Sequence, residues 1–154
     1  MNTTDSASER YLVRLSADYL LRFLHELSEI FEGDLMLGIV FITVAMTSIA
    51  HLRLDDEVRP FEGDGVVPDE LRRPVTVLSV AATLGLPRET VRRHVWQLID
   101  RGYCIQVKGR RVLVNAEIMR RPDVSKGVAA NRRHLKALVA AIRRADLMMT
   151  RTPA

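Results

Sequence analysis

Between Arg88 and Arg111 the chain gathers residue types that can hold a polyanion. Arg88, Glu89, Thr90, Arg92, Arg93 and Gln97 fall within one short stretch, and Lys108, Arg110 and Arg111 follow on a second. A guanidinium can donate two parallel hydrogen bonds to a phosphate or to guanine O6 and N7, and a carboxylate can accept from cytosine N4. A threonine hydroxyl suits a phosphate oxygen, which positions without specifying. Solvated charged surfaces carry the same residue types, and Glu89 can equally serve as an i,i+4 partner for Arg93.

The other candidates for chemistry are sparse. His25, His51, His94 and His134 are scattered, with no i,i+4 pair among them and no carboxylate at metal spacing. They and Cys104 are therefore not expected to form a zinc site. Asp55-Asp56-Glu57 can hold a hard cation loosely, but reads as solvated linker. No nucleophile elbow, phosphate loop or nucleotide fingerprint occurs, so neither an enzyme nor a cofactor is expected. Cys104, the one cysteine, cannot form an internal disulfide, which fits a reducing cytoplasm. It is either a redox-sensitive thiol or a small buried apolar residue, and exposure decides between them.

Charge is unevenly distributed. Residues 1–69 hold 5 basic and 13 acidic side chains, residues 70–121 hold 11 and 4, and residues 122–154 hold 7 and 2. The basic block thus coincides with the arginine cluster, as phosphate binding would require. Hydrophobic residues make up 47% and charged residues 27% of the 154, which excludes a disordered chain and a disulfide scaffold. The polar residues 1–9 read as a loose tail and do not resemble a signal peptide.

Helices, a turn and a hairpin must position the cluster. Ser79 is the expected N-cap of a short helix carrying Val80, Ala81 and Leu84, which Gly85 ends. Leu86 plugs the turn, and Pro87 precedes a second helix over about 88–101, with Val91, Val95, Leu98 and Ile99 toward the core and Gly102 beyond it. His94 and Trp96 are expected to pack on the body. Tyr103–Val107 and Val112–Asn115 read as strands flanking the basic turn Lys108–Arg111, and Pro74–Val77 as a brief strand that pairs with them.

Upstream, a helix starting at Ser6 or Ser16 carries Leu20, Leu24, Leu27 and Phe31 and ends at Gly33. Leu35 to Leu52 follows, apolar almost all round, and must be buried in protein or lipid. Its apolar run of 16 residues, Leu35–Ala50, is short for a bilayer, so a dimer core is the expected cover, with a membrane span as the rival. Residues 53–74 are rich in proline, glycine and acids and read as a connector, with a short helical turn at Pro68–Glu70. Asn115 caps a short helix through Arg121. A longer one over about Val124–Met149 bears Leu135, Leu138, Val139, Ile142, Ala145 and Met149 at helical spacing.

The string Leu84-Gly-Leu-Pro-Arg-Glu-Thr-Val-Arg-Arg-His-Val95, the later Leu98-x-x-x-Gly102-Tyr103 and the basic hairpin resemble bacterial winged helix-turn-helix transcription regulators of MarR-like and GntR-like type. The resemblance covers residues 70–115, and residues 1–69 match no family recognised from their motifs. It implies that Arg88, Glu89, Thr90, Arg92 and Arg93 line the groove-facing part of a recognition helix, with Gln97 beyond them, and that Lys108, Arg110 and Arg111 ride on a wing that reaches backbone or minor groove.

The expected fold class is mainly α with a small β-hairpin wing: a winged helix-turn-helix joined to a helical dimerisation region. Expected boundaries are 1–54 (N-terminal helices), 55–74 (linker), 75–121 (DNA-binding domain) and 122–154 (C-terminal helix). The function expected is a cytoplasmic, homodimeric regulator of transcription that binds double-stranded DNA. A small-molecule effector is compatible with this reading, and no cofactor or metal is expected. Two alternatives remain: a winged helix that docks proteins without touching DNA, and a regulator tethered to a membrane through 35–52.

Overall fold

The structure, a computed structural model, describes residues 3–52 and 63–149, with side chains over 9–52 and 63–146. These residues are mainly helical: α1 (Thr3–Ile30), α2 (Leu35–Thr47), α3 (Val77–Leu84), α4 (Arg88–Asp100), α5 (Ala116–Met119) and α6 (Pro122–Met149). A two-stranded antiparallel hairpin, β1 (Ile105–Val107) and β2 (Arg111–Leu113), lies between α4 and α5. The acidic triplet Asp55–Glu57 and the first part of the expected linker lie outside the described residues.

α2 occupies the centre. Asp34 starts it, its carboxylate accepting the Leu37 N–H at 2.9 Å and so satisfying a first-turn amide. Leu37, Val40, Phe41, Val44 and Ala45 are buried in one core cluster, and α2 packs against α1, α3, α4 and β2. This corrects the expectation that the segment needs a second subunit as cover: three helices of the same chain each lay an apolar stripe on it. α2 is also shorter than its apolar run. Beyond Thr47 the chain tightens into turns, with the Ile49 N–H donating to Met46 O and the Leu52 N–H to Ile49 O. Thirteen residues span about 20 Å, below the ~30 Å of a bilayer core. Among the described residues no single helix is long and apolar enough to cross a membrane.

Gly38 lets α1 and α2 meet, since a Cβ there would lie 2.6 Å from Leu27 Cγ and 3.1 Å from a Phe31 ring carbon. The same contact accommodates the 98° bend between the two helices. α1 is helical from Thr3, so the expected loose tail over 1–9 is corrected from that residue onward. Ser16 does not begin a helix either; it lies inside α1, its hydroxyl donating to Val13 O.

α1 and α6 pack as an antiparallel pair. Gly127 sits against Ile30, where a Cβ would meet the Ile30 methyl, and Leu138 and Ala141 face Leu15 and Tyr19 farther along. Tyr19 Oη donates to Asn131 Oδ1 at 2.9 Å, and His134 Nε2 stands 3.3 Å from Glu26 Oε1. α6 begins at Pro122, where proline suits a first turn, rather than at Val124. On one flank of the pair, Asp18, Arg22, His134 and Ala137 border a shared groove. At about 100° per residue, the other flank carries Val13 and Leu20 from α1 and Val128, Leu135 and Val139 from α6. These five are 67%, 51%, 55%, 45% and 41% exposed. Of the expected apolar period of both helices, Leu20, Leu135 and Val139 are thus left exposed among the described residues.

α3 is held by a capping box between Thr76 and Ser79, so Thr76, not Ser79, is its N-cap. Ser79 sits one turn in and answers reciprocally. Gly85 ends α3 at φ 65°, a left-handed conformation that costs glycine little. Val80 and Ala81 of α3 and Val91, Val95 and Leu98 of α4 join the cluster that also contains Leu27, Phe31, Tyr103 and Val124. One core therefore runs through the N-terminal helices and the α3–α4 pair. Val75 pairs with Val112 by two backbone hydrogen bonds, so the expected third strand is a single bridge.

The described part of the expected linker is packed rather than free. Arg72 is buried, donating from Nε to Val67 O at 3.0 Å and from Nη1 to Val114 O at 3.1 Å. Asp69 accepts the Ala116 N–H at 2.7 Å and, together with Asn115, caps α5, which is one turn ending at Met119 rather than at Arg121. Tyr103 joins the halves, its ring against Phe31 and Phe41 at centroid distances of 4.8 and 5.9 Å and its hydroxyl donating to Asp123. The Arg121 guanidinium lies 4.0 Å from the centroid of that ring.

Candidate nucleic-acid interface

α4 presents its charged residues because its apolar ones are spent on the core. Val91, Val95 and Leu98 are buried, which leaves Arg88, Glu89, Arg92, Arg93 and Gln97 exposed and Thr90 half-buried. The helix ends one residue earlier than expected, with Arg101 as its C-cap. By helical rotation, Arg88 and Arg92 flank the buried stripe on one side and Thr90 and Gln97 on the other, with Arg93 pointing away from the body. Pro87 supplies no side-chain cap, so the first-turn amides of α4 keep no side-chain acceptor from that position. The Thr90 carbonyl accepts from His94 Nδ1–H at 2.7 Å, which ties the half-buried His94 ring to its own helix.

Glu89 pairs with Arg92 and not with Arg93. Arg92 Nε and Nη2 donate to the two carboxylate oxygens at 2.8 and 2.6 Å. This i,i+3 fork corrects the expected i,i+4 partner: both spacings are within reach, and the two-point geometry goes to Arg92. The Arg92 hydrogen bonds hold the Glu89 carboxyl below the usual carboxylate range, and Arg92 is raised in return. Among the described residues no carboxylate lies within ion-pair distance of Arg88, Arg93, Lys108, Arg110 or Arg111.

The hairpin pairs Ile105 with Leu113, Gln106 with Val112 and Val107 with Arg111. Its strands are shorter than expected, because Tyr103 and Cys104 belong to the core ahead of β1. Lys108, Gly109 and Arg110 form the turn, with Arg111 opening β2, and all three basic side chains are exposed. Gly109 and Arg110 both hold positive φ, 79° and 58°. An L-residue pays about 1 kcal/mol for such a conformation, so a guanidinium stands where glycine would be relaxed.

Arg88, Arg92 and Arg110 come together around a groove of about 640 Å³ between the start of α3, α4 and the hairpin. Trp96, Leu78, Thr76 and Gln106 also line it, and none of these was read as a site residue from sequence. Trp96 is 47% exposed, which overturns its expected packing on the body. It projects from the arc between Arg92 and Arg93, one turn on, and that rotation is the signal that could have found it. Arg93, Thr90, Gln97, Lys108 and Arg111 are not part of the lining.

Cys104 is 2% exposed and burial pushes its thiol up to about 12. It is the small apolar core residue of the two readings, not a redox-sensitive thiol. Among the described residues no group of three histidine, cysteine or carboxylate side chains is arranged to hold a metal ion. Set against protein-family models, curated proteins and solved structures, the chain finds no match in any of the three.

Proposed function

We propose that this chain is a winged helix-turn-helix regulator that binds double-stranded DNA, with α4 in the major groove and the hairpin against the adjacent backbone or minor groove. The observation that carries the reading is that Arg88 and Arg93 on α4 and Lys108, Arg110 and Arg111 on the neighbouring hairpin are exposed and stand without carboxylate partners among the described residues. Such cations attract phosphates and release their counterions. In this reading Arg88 and Arg93 touch base edges, while Lys108, Arg110 and Arg111 touch backbone.

The regulator acts as a homodimer. Support comes from the uncovered flank of the α1–α6 pair, where five large apolar side chains lie together without an intervening acidic residue of α1. A two-fold pairing through it presents two copies of α4 to half-sites about one helical turn apart, or a multiple of it.

The test is fluorescence anisotropy with labelled duplexes across a salt series, beside sizing chromatography. Lys108→Ala and Arg110→Ala each flatten the salt slope by about one unit, whereas Arg88→Ala and Arg93→Ala reduce discrimination between duplexes by about 1–3 kcal/mol at the contacted pair. Val139→Glu gives a monomer that binds a single half-site. Wild-type protein that ignores every duplex in dilute buffer overturns the reading.

A further inference from the structure

An outward row of arginines needs no apolar wall, yet the groove between α4 and the hairpin has one. Trp96, Leu78, Val95, Ile99 and Val112 line it together with Arg88, Arg92 and Arg110. Trp96 and Leu78 are half-exposed or more, at 47% and 62%. A surface that is both cationic and apolar fits a ligand whose charge and hydrocarbon alternate, and a sugar–phosphate strand has that character. Geometry supplies the second argument. In a B-form duplex, a single backbone strand forms the ridge between a major groove and the adjacent minor groove. A helix lying in the first and a hairpin tip touching the second must straddle that ridge. Between α4 and this hairpin lies this groove.

We infer that the groove seats one strand of the duplex, with Arg110 meeting its phosphates and Trp96 and Leu78 packing on its deoxyribose rings. Trp96 is thereby a contact residue that adds affinity without reading sequence. The inference rests on the proposed duplex binding and assigns a partner surface to a residue which that proposal leaves idle. Its signature differs from that of an arginine: an apolar contact releases no condensed counterion, so its loss lowers affinity at every salt concentration and leaves the slope alone.

Trp96 is the one tryptophan of the chain, so its fluorescence reports on this groove directly. The experiment uses the full chain and a mixed-sequence duplex of about 30 base pairs, long enough for two half-sites a helical turn apart. With unlabelled duplex, acrylamide quenching of Trp96 falls by about half as the strand covers the ring. With labelled duplex, Trp96→Ala binds about tenfold more weakly at all salt concentrations with an unchanged slope, and Trp96→Phe stays within about threefold. Arg110→Ala, as reference, flattens the slope by about 0.9. Circular dichroism melts confirm that the variants fold; if Trp96→Ala does not, quenching of the wild type and the affinity of Trp96→Phe still decide. A duplex that binds while Trp96 stays fully quenchable, or while Trp96→Ala binds like wild type, overturns the inference alone and leaves the groove to another occupant. Wild-type protein that binds no duplex overturns both the inference and the reading beneath it.

Discussion

Replacing Glu89 with glutamine should strengthen, not weaken, binding to duplex DNA. The Glu89 carboxylate is engaged at both oxygens by Arg92, so in the free protein the pair presents no net charge to a phosphate. The other five cations of α4 and the hairpin have no such partner among the described residues. At about 0.9 per phosphate contact, Lys108, Arg110 and Arg111 would give a salt slope near −2.7 per protomer if all three engage. Glu89→Gln removes the competing anion and frees Arg92 for one further contact. The slope then steepens by about 0.9 per protomer, which at 0.1 M salt corresponds to roughly eightfold tighter binding per protomer relative to a 1 M reference. Fold stability should not change, because both side chains are largely in water, at 73% and 49% exposure. Since Arg92 holds the carboxyl below its ordinary range, Glu89 is ionised throughout neutral and mildly acidic pH, and only mutation removes its charge. Anisotropy titrations over a salt series, with thermal melts alongside, measure each quantity. The double variant Glu89→Gln/Arg92→Ala should return the slope to its wild-type value. If Glu89→Gln alone weakens the best-bound duplex or flattens the slope, Glu89 contacts a base, as acceptance from cytosine N4 would require, and the reasoning from the ion pair fails.

Three further outcomes follow from the core. Tyr103→Phe removes a hydroxyl that donates to Asp123 and should lower stability by about 1–3 kcal/mol in urea denaturation; an unchanged midpoint would detach Tyr103 from the junction between α4 and α6. Burial raises the Asp123 carboxyl, but hydrogen bonds from Tyr103 and Arg121 outweigh it and leave the group below its ordinary value. Its contribution is therefore present above the unfolded carboxylate range near pH 4 and lost as pH falls through the folded value, so wild type and Tyr103→Phe should converge in acid. Cys104, raised to about 12 by burial, should resist alkylation in the folded protein at pH 8 and react once urea unfolds it. Because its folded value lies above the unfolded one, near 8.5, its stabilising effect is full below that pH and declines as pH rises toward 12. Gly38→Ala drives a methyl to within 2.6 Å of Leu27 Cγ; overpacking of about 1–3 kcal/mol against a helix-propensity gain of about 1 kcal/mol predicts a net loss near 1 kcal/mol by chemical denaturation.

What the sequence determined by itself is local. Asp34 and Asn115 cap α2 and α5 because a short side chain meets an amide three residues on. Gly85, followed by Pro87, divides α3 from α4 because one relaxes a left-handed residue and the other opens a helix without donating. Lys108–Arg110 make a hairpin turn because strand-forming residues flank a glycine. The exposed row along α4 was legible from period alone, since Val91, Val95 and Leu98 claim the buried side. Tertiary structure decided the rest. That α2 finds its cover within one chain depends on α1, α3 and α4 converging on it, and an apolar run announces burial without naming the wall. Thr76 rather than Ser79 caps α3, because Val75 bridges to Val112 and brings the chain into the helix at that residue. Glu89 chose between two arginines at equally permissible spacing by side-chain geometry, which no period encodes. Trp96 and the apolar flank of α1 and α6 stand exposed because none of the described elements lies over them: periodicity says which side of a helix is apolar, but only packing says whether anything covers it.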